Sequence, residues 1–310
     1  MGEREMSQNK SLQSKMPLAM GLAFVAFTTQ FGGGFASGAQ IYQYFINYGI
    51  WCLILPAVTQ GLYALFFWYG MRYAYKHKTY DYRSFSDSLY GKTKPVMSNL
   101  YEICYLIMIG TASAAAFATG GSTLQTLFGI PYWLCTLIIA AFIFVIALFG
   151  TNVVRKCAST LSVLIIIGLV LVLVPNIIAQ WGDISANISA SMANPAPFGT
   201  AIWIGFVYAA FQLASIGLLV QHAKPFASPD DAKTSMLQGF FVNVLICLMA
   251  VLGLMAITND PDFPTSSIPL LILVNRGVAP GVLRPIISIL IVLGSVSTAV
   301  NMIAGMSNRV

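Results

Sequence analysis

Eight apolar segments divide the chain, at about 17–46, 49–74, 97–124, 131–150, 157–179, 198–221, 235–258 and 282–307. Each is close to or beyond the roughly 20 residues that a helix needs to cross the hydrocarbon core of a bilayer. Lipid offers no partner to a backbone N–H or C=O, so continuous apolar runs of this length are confined to helices. Composition agrees: 8% of the residues are charged, against about 25% in soluble chains. That shortfall excludes intrinsic disorder, a nucleic-acid-binding domain and a typical cytosolic enzyme. The expected class is an all-α polytopic membrane protein, residues 1–310 forming a single transmembrane domain.

The charges lie between the apolar segments. Threading the loops alternately places fourteen of the sixteen Lys and Arg residues on the side of the N-terminus, leaving only Arg276 and Arg284 opposite. Cytoplasmic loops carry such an excess, so both ends are expected in the cytoplasm of a multi-pass protein of the cell (plasma or inner) membrane. The net charge of +6 is then a topology signal and calls for no nucleic-acid partner. The first segment is too long for a signal peptide and lacks a small-x-small cleavage site. Cys52, Cys104, Cys135, Cys157 and Cys247 form no C-x-x-C pair and read as small apolar packing residues. The segment from Arg72 to Pro95, rich in tyrosine, reads as amphipathic and interfacial, and Ser266 to Asn275 as a short re-entrant or surface helix.

The first span is unusual. It carries Gln30-Phe31-Gly32-Gly33-Gly34-Phe35-Ala36-Ser37-Gly38-Ala39-Gln40. Each glycine costs a helix interior about 1 kcal/mol relative to alanine, and the loosened backbone survives in a membrane only when buried in protein or lining a polar cavity. Close packing through small residues explains one or two glycines. It explains less well three in a row beside Gln30, Ser37, Gln40 and Gln43, and a broken helix is expected at Gly32–Gly34. Such a break offers N–H groups to an anion and carbonyls to a cation.

Other polar features are sparser. In the sixth span Tyr208, Gln212 and Ser215 share one helix face, a stripe that suits packing or a site equally; no Gly-Gly or Pro marks a break there. In the eighth, Ser297 and Thr298 offer hydroxyls to a hard cation or to their own helix's carbonyls. Glu102 is the sole carboxylate within a span, near its cytoplasmic end, and reads as a gate partner, an interfacial residue or a proton site. His77 and His222 read as solvated loop residues. No metal-ligand cluster, nucleophile–base pair or phosphate loop appears, so an enzyme is not expected.

The run Gly32-Gly33-Gly34-Phe35-Ala36-Ser37-Gly38-Ala39-Gln40-Ile41 resembles the first-helix signature of the YkvI-like membrane proteins, roughly G-A-G-F-A-S-G-Q-E. Tyr208-Ala-Ala-Phe-Gln212-Leu resembles their sixth helix, which usually has Asn where Gln212 stands. That family looks like a branch of the amino acid–polyamine–organocation superfamily. The resemblance implies a LeuT-type fold of ten helices in two inverted repeats of five, here about 17–179 and about 198–310, with helices 1 and 6 broken around a substrate. It also implies a substrate site at Gly32, Gly33, Gly34, Ser37, Tyr208, Phe211 and Gln212. A Na⁺ site is implied at the carbonyls of Thr28, Phe31 and Gly294 with the Ser297 and Thr298 hydroxyls. Two departures stand out. Ala39-Gln40 replaces Gln-Glu, removing an acidic group that would couple a cation. The chain also ends after its eighth span, so a truncated sequence is expected. Lys156 lies too close to the cytoplasm to fill the Na⁺ position as a fifth-helix lysine does in proton-coupled relatives.

The expected function is alternating-access transport of a small solute, amino-acid-like, by a secondary transporter with Na⁺ as its coupling ion and no other cofactor. The alternative is a membrane receptor that binds such a solute without moving it. Substrate identity, Na⁺ against H⁺ and oligomeric state are not encoded legibly.

Overall fold

The computed structural model describes residues 18–147 and 151–307, with side chains at 18–145 and 161–302. Arg4, Lys10, Lys15 and Arg309, and the side chains of Arg155, Lys156 and Cys157, lie outside these. The described chain is helical and contains no strand. Helix α1 (Leu18–Gln30) is followed by α2 (Gly33–Ala36), α3 (Ala39–Tyr44), a 3-10 helix (Ile46–Leu53), α4 (Leu55–His77), α5 (Tyr82–Tyr90) and α6 (Lys94–Phe128). The chain continues with α7 (Tyr132–Ala147), α8 (Thr151–Ala179), α9 (Trp181–Ala193), α10 (Phe198–Leu213) and α11 (Ile216–Leu219). It closes with α12 (Asp230–Met255), α13 (Pro269–Arg276) and α14 (Pro280–Ser307).

The apolar segments correspond in order to α1–α3, α4, α6, α7, α8, α10–α11, α12 and α14. Five of the described helices are long and apolar enough to cross a membrane, and six if the 3-10 helix and α4 count as one bent span. The second segment, about 49–74, is bent near its start. Gly49 takes φ +60°, ψ −134° inside the 3-10 helix, and the axis turns by 76° before α4. Pro56 in the first turn of α4 needs no N–H partner there, which suits a helix start. The remaining two segments hold shorter apolar helices, Leu18–Gln30 and Tyr132–Val145.

Exposure follows a membrane pattern. Large apolar side chains face outward on several helices, among them Ile107 (60% exposed), Phe144 (63%) and Phe241 (63%). In water a surface this apolar would be a liability; in lipid it is the solvent-facing side. The packed interior includes α1–α3, where Phe27 stacks on Phe31 and Phe31 tilts against Phe35, all three at most 1% exposed.

The polar connections are folded against the bundle. Asp81 caps α5 by accepting from the Ser84 N–H at 2.8 Å, and α5 buries Tyr82 and Phe85, so this part of the tyrosine-rich segment is docked on the bundle. The short helix expected near 266–275 is α13. Its Leu270 N–H donates to the Ser37 carbonyl at 3.0 Å, tying it to the turn between α2 and α3. Helix α9 had no counterpart in the sequence reading. It is held by Asn187, which donates to the Met255 carbonyl and accepts from Asn259, both at 2.8 Å.

Candidate functional site

Helix α1 ends where the glycines begin. Phe31 makes the last helical bond, donating to the Phe27 carbonyl at 2.7 Å, and Gly32 is extended at φ −75°, ψ −167°. The interruption therefore falls at Phe31–Gly32, with Gly33 and Gly34 forming the first turn of α2. A second interruption follows at Gly38, whose φ of +88° strains any other residue type. Gly32 and Gly33 are glycines for a different reason. A Cβ on Gly32 would collide with the Thr298 hydroxyl, and one on Gly33 with the Ser295 hydroxyl and, at 3.1 Å, with Thr119 Cβ. Close packing and helix breaking thus act at the same residues.

Helix α14 lies against this break. The Thr298 hydroxyl donates to the Thr28 carbonyl at 2.9 Å, and Asn301 Nδ2 to the Thr28 hydroxyl at 3.3 Å. A Cβ on Gly294 would stand 3.6 Å from the Phe31 carbonyl oxygen. The Ser295 and Ser297 hydroxyls are buried with no partner among the described residues. The structure therefore gathers Thr28, Phe31, Gly294 and Thr298 at one place, with Ser297 on the same helix.

The sixth segment is interrupted as well, between α10 and α11 at Ala214-Ser215. Tyr101, from α6, spans the gap: its hydroxyl donates to the Ala214 carbonyl at 3.2 Å and accepts from the Gly217 N–H at 3.0 Å. A Cβ on Gly217 would lie 2.8 Å from the Tyr101 hydroxyl and from atoms of Tyr82 and Tyr105. An unpaired buried backbone group costs about 1–3 kcal/mol. Tyr101→Phe is therefore expected to destabilise the protein by about that amount, read as a lowered Tm in detergent; an unchanged Tm would show that the bridge carries no stability.

Between the two breaks lies a cavity of about 200 Å³. Of the expected substrate residues, Gly32, Gly33, Gly34, Phe211 and Gln212 line it, together with Thr298. Tyr208 and Ser37 do not. Tyr208 is 1% exposed and packs on Tyr44 and Phe45, ring centroids 4.9 and 5.3 Å away. The Ser37 hydroxyl donates to the Gly34 carbonyl at 3.1 Å and accepts from the Ala39 N–H at 3.3 Å, so it shapes the break from within. Among the lining residues the sequence reading passed over Met108, Thr111 and Met302. Nothing in their spacing sets them apart; only the crossing of α6 and α14 over the break brings them in.

Glu102 lies away from the cavity, at the end of α6 beside α5. It accepts from Arg83 at 2.7 Å and from the Tyr82 hydroxyl at 3.0 Å, and Arg83 also reaches Asp87 at 3.4 Å. His77 is exposed and stacks on Tyr73 with centroids 4.1 Å apart. His222, expected in solvent, is 9% exposed, because the 3-10 helix Val220–Ala223 folds it back against the bundle. Cys52, Cys135 and Cys247 are free and buried, and Cys104 is free and exposed. No group of three or more His, Cys, Asp or Glu side chains is placed to hold a metal among the described residues.

No protein-family model matches the sequence, and no curated protein matches it. Solved structures do. The chain is similar to the Eremococcus coleocola manganese transporter crystallised with an aromatic bis-isothiourea substituted compound, with a TM-score of 0.56 and 16% identity over 95% of this chain. A mutant form of the same transporter gives 0.55 and 15%. The chain spans 65% of that transporter's length. At this identity the likeness shows the fold alone, a polytopic helical membrane fold shared with that protein.

Proposed function

We propose that this chain forms the site-bearing part of a secondary transporter that moves a small polar solute, amino-acid-like, by alternating access. The observation that carries the reading is the cavity bounded by two interrupted helices. The N–H groups of Gly33 and Gly34 lie in the first turn of the four-residue α2, where the helix supplies them no acceptor, and they would be available to donate to a solute carboxylate. Manganese, named for the structural neighbour, is a poor fit here. The cavity lining offers amide and hydroxyl oxygens but no carboxylate, whereas Mn²⁺ favours carboxylate ligands alongside carbonyl and water oxygens.

Na⁺ is the proposed coupling ion, held by the carbonyls of Thr28, Phe31 and Gly294 and the hydroxyls of Ser297 and Thr298. The unpartnered Ser297 hydroxyl supports that set, since hard cations take oxygen ligands. The resemblance to YkvI-like proteins supports the same class and two inverted repeats, about 17–179 and 198–310. The basic loops support a cytoplasmic N-terminus in the cell membrane. On that side Arg83 and Glu102 pin α5 beside the α10–α11 break, which suits a gate that opens when the pair parts. A receptor that binds without moving its solute is the second reading, favoured by the same cavity.

The test is thermal stability of the purified protein against a panel of amino acids, with and without Na⁺, followed by counterflow of the best solute in liposomes. A ligand at 100 times its Kd adds about 2.7 kcal/mol of apparent stability. Stabilisation with counterflow supports the transporter, and stabilisation without it the receptor. A panel with no response rejects both.

A further inference from the structure

We infer that Gln30 selects the solute, and that the solute carries an uncharged group able both to donate and to accept a hydrogen bond, a carboxamide or a hydroxyl. This rests on the reading of the cavity as a solute site. Its basis is a triad of carboxamides in the apolar interior. Asn243 Nδ2, on α12, donates to Gln30 Oε1 of α1 at 2.7 Å and to Gln60 Oε1 of α4 at 3.2 Å. Gln30, Gln60 and Asn243 are only 3%, 1% and 1% exposed. Burying such groups is costly unless their hydrogen bonds are made.

The triad does not satisfy itself. With the Gln30 oxygen held by Asn243, the Gln30 Nε2 donor has no partner among the described residues, and Gln30 lines the cavity. Gln40 lines it too, with a buried and unpartnered Oε1. Hydroxyls along the cavity are already committed to nearby carbonyls: Thr29 donates to Val25, Thr111 to Ile107 and Ser215 to Gln212, all at 2.7–2.8 Å. The side-chain capacity left over is thus uncharged throughout: the Gln30 donor and the Gln40 acceptor, beside the carboxamide of Gln212, which also lines the cavity. A neutral group that is both matches it. An apolar isostere leaves the carboxamides unpaired, which is how a buried polar site rejects analogues. The volume lies below the roughly 300–1,000 Å³ of drug-sized sites, which suits a small metabolite. Asn243, acting through Gln30, is a positioning residue, and Gln60 shares its amino group.

The experiment is thermal-shift titration of the full chain with L-glutamine and L-serine, against L-leucine, L-alanine and L-glutamate. Wild-type protein is expected to bind a neutral polar solute at least about 10-fold more tightly than its apolar counterpart. Gln30→Leu should bring that ratio to within about twofold while the apolar solute still binds. Asn243→Asp replaces the donor with an acceptor, so the Gln30 carboxamide turns over and offers its oxygen to the cavity. Preference should then move toward solutes richer in donors, a change that a merely structural role for Asn243 would not produce. An unchanged ratio in Gln30→Leu, or a wild-type preference for the apolar solutes, overturns the inference. If discrimination is seen but labelled solute never exchanges across a membrane, the selection stands and transport falls; if no solute binds, both fall.

Discussion

Gly33→Leu is expected to abolish solute binding and to destabilise the protein by about 1–3 kcal/mol or more, the usual cost of overpacking a filled interior. A leucine there meets Ser295 of α14 and Thr119 of α6, so it separates two helices from the break and distorts the cavity that Gly33 lines. Insertion into the membrane should persist, because leucine makes the span more apolar. Gly33→Ala isolates the effect. Alanine is ordinarily about 1 kcal/mol better than glycine in a helix, yet its Cβ collides with the Ser295 hydroxyl. Adding Ser295→Gly removes that hydroxyl and should recover most of the loss. A Gly33→Ala protein with wild-type binding and raised stability would sink the close-packing account.

Thr298→Val should have the next largest effect. It removes the donor to the Thr28 carbonyl, leaving a buried acceptor beside the break unpaired at a cost of about 1–3 kcal/mol. Ser297→Ala is the informative partner. The Ser297 hydroxyl has no protein partner among the described residues, so its loss should change stability little in Na⁺-free buffer. If Na⁺ occupies the proposed oxygens, Ser297→Ala should nevertheless lose the stabilisation that Na⁺ confers on wild-type protein. Both variants keeping a full Na⁺ response in a melting assay would remove this site from the mechanism and leave H⁺ as the coupling ion to test.

How far these features could be read in advance differs from one to the next. The break in the first span was legible, because three glycines among polar residues contradict a continuous membrane helix. Which of the three glycines leaves the helix was not: the extended residue is Gly32, while Gly33 and Gly34 are helical, and the close approach of Thr298 and Ser295 of α14 to Gly32 and Gly33 is visible only in the packed structure. The break in the sixth span carries no Gly-Gly or Pro, and it is bridged by Tyr101, 113 residues away from Ala214. Gln60 and Asn243 are single polar residues inside apolar runs; a scan for mid-span carboxamides finds them, but their meeting with Gln30 depends on how α1, α4 and α12 cross. Tyr208 and Ser37 were expected at the solute. Tyr208 faces aromatic neighbours instead, because residues on one helix stripe need not face the same partner once the helix is packed among three others.

Length, apolarity and the sign of loop charge are properties of each segment alone, so they made the helical class and the order of the segments readable from the residues. A lipid bilayer treats one apolar helix much like another, and the hydrophobic effect sets no preference among them. Which helices touch is decided instead by small residues that admit a neighbour, such as Gly32 and Gly33 beneath Thr298 and Ser295, and by polar groups that need one another across the bundle. Those choices join residues more than 200 positions apart, and they exist only once the chain is packed.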